Sequence, residues 1–274
     1  MRLTVQVLLV ISFTPMPTWA VNVAARDYSG LWQKFAVRER CWDKPTAIFP
    51  YQNCFEKAAR KYDLPLNLLL AVARGESDFN PRAKSDASCY GIMQILWPNT
   101  ARELGFSSPE GLYQPCKNIM AGSRYLKKLL GLYNGDIHLT LAAYNYGPSR
   151  IPADKTAWSL PDKAEWYSGY IYHHLERVAG KERLRTGSPG RTEPKEKYIT
   201  EHKAPIIYFK APFRALGFIE HAERHAPQVR LDWFRNSLNE FYVVLLYRDD
   251  RELSCSLQAL QRAGYEVKED KIFH

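Results

Sequence analysis

Leu64-Pro65-Leu66-Asn67-Leu68-Leu69-Leu70-Ala71-Val72-Ala73-Arg74-Gly75-Glu76-Ser77 opens the stretch that decides the fold; Asn80-Pro81, Ala83, Ser85 and Gly91-Ile92-Met93-Gln94 complete it. The first half reads as a helix. Asp63 stands where a cap belongs, and Pro65 where a first-turn proline is tolerated because its missing N–H would be unpaired anyway. Apolar residues cover nearly the whole circumference from Leu64 to Ala73, which predicts a helix buried on most sides. Asn80-Pro81 then breaks the chain.

Glu76 is the exception on this helix. Leu69, Val72, Ala73 and Glu76 fall at i, i+3, i+4 and i+7, so the carboxylate lies on an apolar stripe. It also occupies the last turn, where the macrodipole disfavours negative charge. Desolvation and dipole both favour the protonated acid, which is the form a general acid needs. A Glu that reaches solvent at a frayed helix end is the plainer reading, and helix position alone leaves both open.

Glu76-Ser77, Asn80-Pro81-x-Ala83-x-Ser85 and Gly91-Ile92-Met93-Gln94-Ile95 resemble the first motifs of the soluble lytic transglycosylases. Ala142-Ala143-Tyr144-Asn145-Tyr146-Gly147 is similar to the family's third motif, and Asn118-Ile119 with Gly122 to its Asn-Ile-x-x-Gly helix. The resemblance runs from about Cys54 to Leu175, and its specificity lies in four motifs in the right order. It implies a lysozyme-like fold that cleaves bacterial peptidoglycan with Glu76 as catalytic acid. By the same resemblance Ser85 and Gln94 are polar contacts to substrate, Met93 is part of the cleft floor, Tyr144 lies near the acid and Asn145 helps hold the sugar. Leu160-Pro161, Glu165, Tyr167 and Tyr170 resemble a further family element whose tyrosine approaches the site, with Tyr170 as the better match. Without the resemblance, Met93 and Tyr144 read equally as core and Ser85 as a turn residue. Ser88-Cys89 and the extra Trp97 depart from the family pattern beside the cleft.

Export is read from the first residues. Met1-Arg2 precedes an apolar run from Val5 to Phe13, then Pro15 and Pro17, with Thr18-Trp19-Ala20 as a cleavage site and Val23-Ala24-Ala25 as another. This is a signal-peptide pattern over residues 1–20, too short for a resident membrane helix, and it implies a periplasmic protein whose leader stands outside the fold. No other run is long and apolar enough to span a bilayer.

The remaining length suggests one to two domains, and 46% apolar residues suffice for a core. The formal net charge is +9 with mostly dispersed cations, which agrees with a carboxylate-bearing wall polymer. No nucleic-acid motif accompanies it. Of Cys41, Cys54, Cys89, Cys116 and Cys255, the favoured bridge is Cys54–Cys116, since both open helices flanking the core and some wall-cleaving enzymes of secretion machines look similar at these places. Cys41–Cys89 is a guess, and Cys255 is left as the odd thiol. A catalytic Cys89 lacks a local motif or an evident base. No Cys/His ligand spacing calls for zinc, and neither metal nor cofactor is expected.

Tyr28–Val37, Asn53–Tyr62, a segment from Pro98 to Gly105, Cys116–Tyr133 and Ile137–Asn145 carry helical periodicity, the last capped by Asp136. No alternating strand pattern stands out in residues 26–179, taken as the catalytic domain. Residues 180–204 read as a flexible basic linker. Beyond it Ile206–Phe209, Phe213–His225, Val229–Phe234, Phe241–Tyr247, Arg251–Ala263 and Tyr265–Lys268 read β-α-β-β-α-β. That is a ferredoxin-like module over 205–270, similar to the SPOR modules that bind glycan. The fold class is therefore α+β: an all-α lysozyme-like domain followed by a small βαββαβ domain. His221 and His225 at i, i+4 lack the zincin glutamate and read as a solvated face.

Glycosidases ordinarily need two carboxylates, yet Asp78 and Asp86 sit on polar turns rather than an apolar stripe. A single acid suffices when the substrate supplies the nucleophile, and that is the chemistry the resemblance implies: a MurNAc–GlcNAc bond cleaved to a 1,6-anhydro end. A goose-type hydrolase and a wall-binding scaffold are the alternatives. Peptidoglycan strands are the expected partner, and the cysteine pair and C-terminal module point further to a secretion or conjugation complex of the envelope.

Overall fold

The computed structural model describes residues 7–11, 27–38, 45–151, 160, 162–180, 202–236, 240–265 and 267–271. Two compact units result. One spans Asp27–Tyr198; the other joins Met1–Arg26 to Ile199–His274. Most of the expected linker and Cys41 lie outside the described residues.

In the first unit the helices are α1 (Tyr28–Arg38), α2 (Gln52–Tyr62), α3 (Leu66–Ser77), α4 (Asn99–Glu103), α5 (Pro115–Leu132), α6 (Ile137–Tyr146) and α7 (Asp162–Ala179). α3 is the axis. Every residue from Leu66 to Gly75 is buried, as the unbroken apolar circumference predicts. Each fully buried Leu in such a helix contributes about 1.5–3 kcal/mol relative to an exposed one. α7 lies along α3, and the approach is close: a Cβ on Gly75 would stand 2.8 Å from Ile171 and 2.9 Å from His174. Arg74, 4% exposed, donates to His174 Nδ1 at 2.6 Å, and Tyr170 donates to the Gly75 carbonyl at 2.7 Å. Trp32 of α1 donates from its indole to the Ser168 carbonyl and stacks edge-on against Tyr172, which seals the far side of α7.

Local expectations fail at two points. Asp63 does not cap α3; it ends α2 with φ of 49°, its N–H on Ala59, and Pro65 precedes α3 without a side-chain cap. One turn of chain cannot both close α2 and open α3 in the same conformation, and closing α2 wins. Residues 26–179 are also not purely helical: β2 (Cys89–Tyr90) and β3 (Ile95–Leu96) form a short antiparallel hairpin. Two-residue strands are too brief to leave an alternation in sequence. Asp136 does cap α6, accepting from the Leu139 N–H at 3.0 Å.

The Cys54–Cys116 disulfide joins the first turns of α2 and α5, with Cα atoms 5.2 Å apart and a sequence separation of 62. Closing a loop of that length restricts the unfolded chain by about 4 kcal/mol in the chain-entropy picture.

The second unit follows the expected element order: β4 (His202–Phe209), α8 (Pro212–His225), β5 (Leu231–Arg235), β6 (Phe241–Tyr247), α9 (Asp250–Arg262) and β7 (Val267–Lys271). β6 is central, antiparallel to both β4 and β5. Phe218 of α8 packs against Phe209 and Tyr265. Ferredoxin-like closure would place β7 beside β4. In this chain β7 pairs instead with β1 (Val7–Ile11), antiparallel, from Val7↔Lys271 to Ile11↔Val267. The stretch read as an export leader thus supplies the strand beside β7 in the full sequence. His221 and His225 stack at 4.2 Å, and His221 is bonded to the Tyr265 hydroxyl. Cys255 is an exposed thiol on α9. No helix among the described residues is long and apolar enough to cross a membrane.

Candidate active site

Glu76 is half-buried at the C-terminal end of α3, where the helix gives way to Asp78 at φ 47° and Phe79 at φ 63°. The Tyr167 hydroxyl of α7 donates to its Oε1. Tyr167 is fully buried, so the phenol reaches the carboxylate from the protein side and leaves the other side of Glu76 toward solvent. The tyrosine singled out in the sequence, Tyr170, is one turn further along α7 and donates to the carbonyl of Gly75, the residue before the acid. Both face α3 because they are three residues apart. Only the axial placement of α7 along α3 decides which of them meets the carboxylate.

The turn Gly91-Ile92-Met93-Gln94 faces this helix end and is clamped from three helices. Ser77 of α3 donates from Oγ to the Ile92 carbonyl at 2.9 Å. Asn118 of α5, fully buried, accepts from the Met93 N–H at 2.7 Å and donates to the Tyr90 carbonyl at 2.9 Å. Tyr144 of α6 donates to the Met93 carbonyl at 2.8 Å. An Asn can serve as donor and acceptor at once, so one buried side chain satisfies two backbone groups that would otherwise be orphaned. Two glycines make the fit possible. Gly91 has φ of 74°, and a Cβ there would meet Asn118 Nδ2 and the Leu112 carbonyl at 2.4 Å; a Cβ on Gly122 would meet Met93 Cβ at 2.6 Å.

Met93 is fully buried against Gly122. It therefore packs the turn against α5 from within. Gln94 is half-buried at φ 46° and donates from Nε2 to the Gly91 carbonyl at 2.9 Å, which closes the turn on itself. Ser85 accepts from the Cys89 N–H at 3.0 Å and so closes the turn that leads into β2. Asn145 is half-buried beside Tyr144 at the end of α6. Trp97 follows β3, bonded to the Ser88 carbonyl through its N–H, with the Arg102 guanidinium 5.5 Å from its ring.

Electrostatics tie Tyr144 to Glu76. Burial, and next the charge of Glu76, push the Tyr144 phenol well above its usual range, with smaller contributions from Tyr125 and Cys89. Glu76 is the one carboxylate among these groups. Tyr144 thus remains a neutral hydrogen-bond donor at physiological pH. Among the described residues no group of three His, Cys, Asp or Glu is arranged to hold a metal ion.

Ser77, Asn118, Gly122 and Tyr167 were not singled out as site residues from sequence, although the first three lie within the motifs quoted. Their signal was position inside those motifs; their role as clamps depends on which backbone groups the turn leaves unpaired. For Tyr167 the sequence offered only a choice between two tyrosines.

Residues 53–166 match the family described as the Transglycosylase SLT domain. The soluble lytic murein transglycosylase of Escherichia coli K12 is 31% identical over 147 residues, 49% of this chain and 23% of that protein. The transglycosylase of enterobacteria phage PRD1 is 34% identical over 123 residues, 45% of this chain and 42% of that one. A solved structure of lytic transglycosylase Slt from Pseudomonas aeruginosa is 25% identical, covering 51% of this chain and 25% of that chain, at a TM-score of 0.43. The chain spans under a quarter of the length of the soluble lytic murein transglycosylases it matches. Glu76, the clamped turn and Tyr144 all fall within residues 53–166, the span that matches the Transglycosylase SLT domain.

Proposed function

We propose that this chain is a lytic transglycosylase of peptidoglycan that works with Glu76 as its single acid and base. Protonated Glu76 donates to the glycosidic oxygen between N-acetylmuramic acid and N-acetylglucosamine, and the bond from that oxygen to muramoyl C1 breaks. The C6 hydroxyl of the same muramoyl residue attacks C1, and the Glu76 carboxylate takes its proton. A 1,6-anhydro ring and a free N-acetylglucosamine 4-hydroxyl result, and Glu76 ends as it began. No water is consumed.

The observation that carries this reading is a half-buried carboxylate at a buried helix end, held by the Tyr167 hydroxyl and electrostatically coupled to Tyr144. A water-activating hydrolase asks for a second carboxylate opposite the acid. Asp86, in the turn region, is exposed, and Asp78 belongs to the C-cap of α3. Both protons pass through one carboxylate in this scheme, so its orientation matters more than that of any other group. Murein is named for the E. coli relative, which supports the substrate class.

The test is digestion of purified sacculi followed by mass spectrometry of the soluble muropeptides. Products lighter by one water than reducing-end muropeptides are expected from the wild-type chain, and none from Glu76→Gln with unchanged circular dichroism. Reducing-end products would assign a hydrolase, and turnover by Glu76→Gln would remove Glu76 from the role.

A further inference from the structure

A cavity of about 470 Å³ lies in the first unit and shares no lining residue with the Glu76 cluster. Tyr62 at the end of α2, the Phe106-Ser107-Ser108 segment after α4, and Lys117 and Arg124 of α5 line it. Lys117 and Arg124 are seven residues apart and share one face of the helix. The adjoining face carries Asn118 and Gly122, which hold the Gly91–Gln94 turn. One helix therefore presents the candidate active site on one face and this cavity on the next.

The cavity is cationic. Lys117 and Arg124 are exposed, and Lys61 lies with its ammonium 5.5 Å from the Tyr62 ring. Among the described residues none of these three is paired with a carboxylate. The acids nearby are engaged elsewhere: Glu103 with Lys128 at 2.5 Å and Asp63 with Lys127 at 3.4 Å. Glu110, exposed, is hydrogen-bonded by Ser108, which holds its carboxyl below the usual carboxylate range. Lys117 and Arg124 are the charged residues of its lining and no carboxylate is among the lining residues, so the cavity is complementary to an anionic ligand, while Tyr62 and Phe106 supply apolar walls. A neutral sugar has no use for that charge.

We propose that this cavity receives the peptide stem of peptidoglycan, with Lys117 and Arg124 on its carboxylates. The assignment rests on the peptidoglycan reading of the Glu76 site. The volume lies within the range of small-molecule sites, roughly 300–1,000 Å³. Reach is adequate: a stem of four residues extends about 13 Å, and an α-helix with its side chains is about 10–12 Å across.

Lys117→Gln with Arg124→Gln tests it in the full chain, since both side chains are exposed and neither belongs to the Glu76 site. On glycan strands that keep their stems, KM rises about three- to tenfold, as loss of two exposed charge contacts predicts, with kcat unchanged. On strands stripped of stems by an amidase neither constant moves. An unchanged KM on stem-bearing strands, or equal changes on both, overturns the subsite. Calorimetry of a soluble muramoyl tetrapeptide with the Glu76→Gln chain separates the two readings, because it needs no turnover. Weaker tetrapeptide binding after the double substitution upholds the cavity even if the wild-type chain cleaves nothing. Equal binding before and after it, or charge-dependent binding of an acidic protein segment and not of the tetrapeptide, overturns the cavity while leaving the Glu76 chemistry standing.

Discussion

Gly122→Ala sets two opposing effects against each other. In a helix interior alanine is favoured over glycine by about 1 kcal/mol, so α5 considered alone is stabilised. The added Cβ, however, would stand 2.6 Å from Met93 Cβ and 2.8 Å from its Cγ. Carbon atoms prefer about 3.5–4.0 Å, so one side must retreat by about 1 Å. The nearest atom is a Cβ, fixed to its backbone, and no rotamer change moves it. That backbone is held by Asn118 at 2.7 Å and Tyr144 at 2.8 Å. Overpacking of this kind costs about 1–3 kcal/mol, and loosening one of the two hydrogen bonds adds about 0.5–1.5 kcal/mol. The clash outweighs helix propensity, for a net loss of about 2 kcal/mol. Urea unfolding followed by tryptophan fluorescence measures it: the midpoint falls and the m-value holds. Turnover falls as well, because the displaced turn carries Gln94 and the carbonyl that Tyr144 binds. A midpoint equal to or above that of the wild-type chain would refute the reasoning and mean that Met93 yields freely.

Tyr167→Phe removes the hydroxyl on Glu76, and turnover should drop about ten- to a hundredfold, the worth of one hydrogen bond to a charged group, with little change in KM. Tyr170→Phe instead orphans the buried Gly75 carbonyl and should cost stability, about 1–3 kcal/mol, with a smaller loss of turnover; the reverse pattern would reinstate Tyr170 beside the acid. His138 is buried against Ser168, and burial lowers its pKa, outweighing the raising effect of Asp136 and Asp27. The unfolded chain then binds the proton more readily, so the contribution of His138 is complete above about pH 6.5 and is lost as pH falls toward the lower folded value. Urea midpoints at several pH values should show this slope in the wild-type chain and a shallower one in His138→Gln; parallel curves would exclude His138 as its source.

Much of the candidate site is legible along the chain because its parts lie in local motifs. Glu76 on an apolar stripe at a helix end needs only the period of 3.6 to be noticed, and Asp136 needs only the capping rule. Met93 is less legible for a physical reason. A methionine in a motif near a catalytic residue serves equally as floor or as filling, and the vacancy beside Gly122 that it fills is made by another helix. Tyr167 and Tyr170 share a helix face, so periodicity cannot choose between them. The expected place of the last strand fails similarly: the β-α-β-β-α-β order is written in the alternation of each segment, but strand partnership is not, and β7 lies against β1.

What the chain determined alone was what one segment can carry. It marked a helix too apolar to face water, an acid displaced onto its buried side, and turns where proline, glycine or asparagine interrupt the period. The spatial structure decided which groups from distant segments meet: the Tyr167 phenol on Glu76, and Ser77, Asn118 and Tyr144 around one turn. The reason is that periodicity is imposed by backbone geometry within a few residues. Partners across 91 residues, as for Tyr167 and Glu76, are set by how helices slide and close on one another when every buried polar group must find a bond.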